Sequence, residues 1–90
     1  LLGGAIGSNM ESTDTQKINN TLDHNQVRKT SKWTNKNTGT KYTMTPMSQT
    51  MSYQGQQNCR KYHGTINNDG KQQVLKGVAC KQSDGRWKTS

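Results

Sequence analysis

Apolar residues are sparse in this chain, and their spacing changes twice along it. The opening seven residues, "LLGGAIG", are all apolar or glycine, with Gly3 and Gly7 at the spacing that lets membrane helices approach closely. A spanning helix needs about 20 apolar residues, and this run is far shorter. It shows no basic leader and no cleavage site. Residues 1–10 are therefore expected to be a flexible remnant of a longer apolar segment, in a chain cut from a longer precursor. Residues 11–26 suit a short amphipathic helix or linker. Ile18 and Leu22 stand i, i+4 on one face, and Ser12, Thr13 or Asp14 can cap the start. Asn19, Asn20 and Asn25 oppose it, so the helix is expected to be partial and loosely docked.

From Val27 the period shortens to that of strands. "Val27–Trp33", "TKYTMT" halted by Pro46, "MSQTMSY", "NCRKYHGTI", "KQQVLKGVACK" and "RWKTS" alternate with turn signals at Gly39, Gly55, Asp69-Gly70 and Asp84-Gly85. Short strands joined by close turns predict a mainly β fold, an antiparallel meander curled into a small sandwich or barrel behind a short N-terminal helix. Residues 27–90 are expected to fold without the helix, around a cluster of Trp33, Tyr62, Val78 and Trp87. One strand breaks the alternation: Cys59 lies on one parity, Tyr62 and Ile66 on the other. A β-bulge or a strand covered on both faces would reconcile them.

Composition sharpens this picture. Among 90 residues only 26% are apolar and none is Phe, so the core is small and a staple is needed. Cys59 and Cys80 supply it as a disulfide, with Cα atoms expected about 5–6 Å apart. Closing such a loop contributes about 3 kcal/mol by restricting the unfolded chain. The rival is zinc held by Cys59, His63, Cys80 and His24, but neither Cys80 nor His24 has a close partner of the kind structural sites show. No cofactor or metal is expected.

Charge is unevenly spread. Residues 1–26 hold Glu11, Asp14 and Asp23 against Lys17, and all other Lys and Arg residues of the 13 lie beyond, against Asp69 and Asp84, for a net +8. Such a surface either keeps a small protein soluble or meets anionic partners, among them lipid headgroups, acidic polysaccharide or nucleic acid. The candidate anion-binding residues are Arg60, Lys61, Lys76, Lys81, Arg86 and Lys88. Tyr42, Tyr53 and Tyr62 would offer stacking platforms for single strands, but tyrosines in a core-poor β domain belong to the core, which disfavours nucleic acid. No carboxylate pair, phosphate loop, dinucleotide fingerprint or nucleophile motif points to catalysis.

Four segments in order, "LLGGAIGSNM", "WTNKNTGTKYTMTP", "NCRKY" and "ACKQSDGRW", resemble the 17 kDa outer-membrane surface antigen family of Gram-negative bacteria. That resemblance implies a lipid-anchored precursor, a membrane-associated glycine zipper of which residues 1–10 are the remnant, and a compact non-enzymatic C-terminal domain at the outer membrane. No lipid-attachment cysteine is present among these residues. The match falls on Trp33, Asn35, Gly39, Tyr42, Thr45, Pro46, Cys59, Arg60, Tyr62, Cys80, Asp84, Gly85 and Trp87. Trp33, Tyr42, Tyr62 and Trp87 then supply the core aromatics, and Asp84 bonds its own turn. Arg60 either caps an aromatic, pairs with Asp84 or contacts a ligand. The implied function is an envelope protein with a structural or surface-interaction role, meeting envelope components and self-associating through the zipper. The alternative is a basic module for an anionic polymer.

Overall fold

The computed structural model describes residues 10–90. The expectation for residues 1–10 lies outside the described residues, apart from Met10, which packs against the core. Helix α1 spans Ser12–His24 and is complete rather than partial. Its start is set by a reciprocal capping box between Glu11 and Asp14, with the Glu11 N–H donating to Asp14 Oδ2 at 3.0 Å. Ser12 and Thr13, the expected caps, sit inside the first turn instead. Asp14, Ile18, Thr21 and Leu22 form the buried face, the i, i+4, i+7, i+8 stripe of a helix lying on a support. Two of these four are polar, so counting apolar residues alone underestimates the face.

Six antiparallel strands follow: β1 Ser31–Thr34, β2 Lys41–Pro46, β3 Met51–Tyr53, β4 Gln56–Asn68, β5 Lys71–Lys81 and β6 Trp87–Thr89. They form one sheet in the order β1-β2-β4-β5-β6, with β3 also paired to β4. The mainly β meander, the preceding helix and the single disulfide agree with the sequence reading. The first strand is shorter than "Val27–Trp33". Arg28 takes a left-handed φ of 69° and its N–H donates to the Pro46 carbonyl at 2.8 Å, so residues 27–30 turn the chain before β1 begins. The third is shorter too. Met47 still donates to the Lys61 carbonyl at 2.7 Å, but Ser48 offers its hydroxyl, not its carbonyl, to the Lys61 N–H at 2.9 Å. The ladder is interrupted there until Met51.

β4 and β5 make the spine. Their register runs unbroken from Asn68↔Lys71 to Cys59↔Cys80. Asp69 and Gly70, at φ 54° and 78°, form the two-residue turn that matches strand twist. The Cys59–Cys80 disulfide clasps the open end, with Cα atoms 3.9 Å apart. That is closer than expected, and the two cysteines are direct cross-strand partners. With both sulfurs bonded, a zinc site on these thiols is ruled out.

The unbroken ladder also resolves the parity conflict. Arg60, Tyr62, Gly64 and Ile66 face α1, while Cys59, Lys61, His63 and Thr65 face away. Cys59 and Arg60 are both buried, so this end of β4 is covered on both faces and the β4–β5 ladder carries no bulge. Gly77, opposite Tyr62, has a role no other residue fills: a Cβ there would lie 3.0 Å from the Tyr62 hydroxyl oxygen. The tyrosine ring needs that space to lie across β5.

One core joins helix and sheet. Ile18 and Leu22 pack with Met44, Tyr62, Leu75, Ala79 and Trp87. Trp33 is half-buried against this cluster, and Val78, expected inside it, is half-buried on the opposite parity. The boundary drawn at Val27 thus runs through a shared core. Leu22, only 1% exposed, provides the test. Leu22→Ala is expected to cost about 2–5 kcal/mol by urea unfolding followed by circular dichroism. A loss under about 1 kcal/mol would show that β1–β6 stand without α1.

Candidate functional site

The face of the sheet toward α1 is closed by hydrogen bonds as much as by apolar contact. At the start of the helix the buried Asp14 carboxylate accepts from Trp33 Nε1 at 2.9 Å and from Asn35 Nδ2 at 2.7 Å. Glu11 Oε1 accepts from the same Asn35 amide at 2.9 Å and from Asn37 Nδ2 at 3.0 Å. The Asn35 carbonyl oxygen in turn accepts from the Asn37 and Thr38 N–H groups, an Asx turn that shapes the β1–β2 hairpin. Trp33 stacks on Tyr42 with centroids 5.3 Å apart.

At the far end of the helix lies Arg60, only 5% exposed. Its Nη1 donates to the Leu22 carbonyl at 2.8 Å and the Asn25 carbonyl at 2.9 Å, and its Nε donates to the Ser48 carbonyl at 2.9 Å. It neither caps an aromatic nor pairs with Asp84. It satisfies the orphan carbonyls at a helix C-terminus, where a positive charge is also favoured. Burial draws its pKa down from the ordinary guanidinium value. Asp84 instead accepts from the Arg86 N–H at 2.9 Å, as its turn requires.

Trp87 repeats the bond made by Trp33. Its Nε1 donates to Asp23 Oδ1 at 2.8 Å, and its backbone N–H donates to Asn19 Oδ1 at 3.0 Å. Lys81 Nζ reaches the same Asp23 oxygen at 2.9 Å. Burial works to raise the Asp23 pKa, but the hydrogen bonds from Trp87 and Lys81 and the lysine charge outweigh it and hold the carboxyl below its ordinary 3.8. Burial pushes the Tyr62 hydroxyl up, and it does the same to Tyr42, helped by the Asp14 charge. Tyr42, Tyr62 and Trp87 are buried and Trp33 is half-buried.

The other face of the sheet is of a different kind. Lys61, Lys76 and Lys88 are exposed there, whereas Arg60 and Lys81 belong to the α1 side and Arg86 lies in the β5–β6 turn. The register adds Lys32, opposite Thr43, and Lys41, opposite Asn67, both exposed. One lysine therefore comes from each of β1, β2, β4, β5 and β6. Between them lie His63 and the hydroxyls of Thr43 and Thr65, which share a hydrogen bond at 2.6 Å. None of the five Asp and Glu residues is on this face: three are on or next to α1 and two are in turns. Sequence reasoning missed Lys32 and Lys41. A signal was present, since Lys32, Lys41 and Lys61 each precede an inward aromatic and Lys88 follows one, which forces them outward in a strand.

The family described as 17 kDa outer membrane surface antigen matches residues 20–88. The chain belongs to that family. Among curated relatives, the 17 kDa surface antigen of Rickettsia bellii strain RML369-C is 42% identical over 55 residues, covering 61% of this chain and 34% of the relative. The same-named protein of Rickettsia bellii matches equally. The chain thus spans about a third of the length of the curated relatives it matches. No solved structure matches it. The family span begins inside α1 and takes in Leu22 and Asp23, so the family pattern includes part of the helix along with the sheet.

Two outcomes follow from the buried contacts. Arg60→Met leaves the Leu22, Asn25 and Ser48 carbonyls without their donor, and is expected to cost about 3 kcal/mol or more in thermal unfolding. Arg60→Lys should recover only part, because an ammonium lacks the planar fork. Asp23, with its folded pKa below the unfolded one, contributes stability that is present above the unfolded carboxyl value and lost as pH falls through the folded one. Melting curves between pH 7 and pH 2.5 should therefore decline less steeply for Asp23→Asn than for the unaltered protein. Parallel curves would remove Asp23 from the account.

Proposed function

We propose that this chain is the exported C-terminal domain of an outer-membrane surface-antigen lipoprotein, with a structural or surface-interaction role and no catalytic one. The observation that carries this reading is the family match over residues 20–88. The Cys59–Cys80 disulfide supports it, because such bonds persist in oxidising compartments outside the cytosol. The disposition of the carboxylates supports a non-enzymatic role. Asp14 and Asp23 are occupied by indole N–H groups, Glu11 by asparagine amides, and Asp84 by its own turn. Self-association, in this reading, runs through the glycine zipper to which the opening residues belong.

The test is made on the full-length protein in its own cells. Fractionation should recover it with the outer membrane, an alkyne fatty acid should label it, and protease added to intact cells should remove this domain. Recovery from the cytosol with Cys59 and Cys80 both open to a thiol reagent would overturn the proposal.

A further inference from the structure

The sheet face turned away from α1 has an arrangement that neither the disulfide nor the helix explains. Lysines are placed outward on five strands, and the register sets them along a diagonal. From Lys41 on β2 to Lys88 on β6 the line crosses three strand spacings and shifts eight residues along them, by way of Asn67, Cys59 and Cys80. At about 4.8 Å per spacing and 3.3 Å per residue this is roughly 30 Å. Lys32 flanks one end, Lys61 and Lys76 lie along the middle, and between these and Lys88 the line passes the Cys59–Cys80 disulfide, which is itself covered (Cys59 0% and Cys80 1% exposed).

Such a line is too long for one phosphate or one carboxylate. It fits a ligand that carries repeated charges. Three features narrow the class. The cations on the line are all lysines, point charges that suit carboxylate or sulfate groups without demanding the planar fork of arginine. Of the five aromatics Trp33, Tyr42, Tyr62 and Trp87 face α1, and Tyr53 stands alone, half-buried on β3, so successive bases would find no row of stacking platforms. Apolar side chains on this face come to little beyond Val74, Val78 and the half-buried Met51 opposite Cys59, with no exposed aromatic wedge of the kind that inserts into a bilayer. Thr43, Thr45 and Thr65, set between the lysines, offer hydroxyls to sugar hydroxyls.

The geometry points to a binding face for a linear anionic polysaccharide along the Lys32–Lys41–Lys61–Lys76–Lys88 diagonal. This does not depend on where the protein resides. It differs from the reading from sequence in leaving Arg60, Lys81 and Arg86 out of the face and taking in Lys32 and Lys41.

Heparin serves as the probe, titrated into the whole chain by calorimetry at low salt. A variant with all five lysines changed to Gln is compared with a control of equal charge loss elsewhere: Lys17→Gln, Lys29→Gln, Lys36→Gln, Lys71→Gln and Arg86→Gln. The face variant should bind at least about tenfold more weakly, as several exposed ion contacts together require, and the control should change less than about twofold. Equal losses in the two would show that net charge alone is read, and would overturn the proposal. A second measurement needs no variant: heparin should protect the five lysines from acetylation in the unaltered protein and leave Lys17, Lys29, Lys36 and Lys71 reactive. Uniform protection would also overturn it. So would single-stranded DNA or anionic phosphatidylglycerol vesicles binding more tightly than heparin at equal charge.

Discussion

The carboxylate of Asp14, 1% exposed, is the point on which the rest of the fold is hung. It closes the capping box that starts α1, receives the Trp33 indole at the sheet edge, and holds the Asn35 amide whose carbonyl forms the adjoining turn. A buried carboxylate is costly unless its oxygens are satisfied; here both are. A chain with so few apolar residues needs contacts of this kind. Removing either partner would leave a polar group stranded in the interior, so helix and hairpin keep one relative position.

The same device recurs along the helix. Trp87 and Lys81 take Asp23 on the next turns, and Arg60 takes the terminal carbonyls. Hydrogen bonds to charged groups are the stronger ones, and these lie at both ends of an apolar patch no larger than Ile18 and Leu22. The small hydrophobic contribution is thus joined to directional contacts that give α1 one register on the sheet. The disulfide acts elsewhere. It clasps the β4–β5 spine from the far face, so the two sources of stability do not overlap.

With four of the five aromatics and three of the five acidic residues drawn to one side and the other two acids in turns, the other side is left basic. The separation follows from strand geometry. In a strand, the neighbour of an inward aromatic points outward, and in this chain those neighbours are repeatedly lysine. Five of the 13 Lys and Arg residues are therefore set on one face with no carboxylate among them, while α1 keeps its carboxylates for contacts with the sheet. The surface chemistry of the molecule comes from the same alternation that builds its core.

The family resemblance, the mainly β meander, the Asp69-Gly70 hairpin and the Cys59–Cys80 pair were legible in the sequence, because each depends on residues close together or on spacing alone. Pro46 and the Asp-Gly pairs act locally, and the i, i+4 pair of Ile18 and Leu22 marks a helix face without any knowledge of what covers it. The truncation of the first strand was less legible, since it depends on the left-handed turn at Arg28 and its bond to a carbonyl 18 residues away, at Pro46. The placement of Arg60 and Asp14 was not legible at all. An arginine 38 residues from the carbonyl it binds, and a carboxylate 19 residues from its indole, carry no local signature. Only tertiary structure decides such pairs, because each partner's cost of burial is offset by the other, and that exchange exists only once helix and sheet have met.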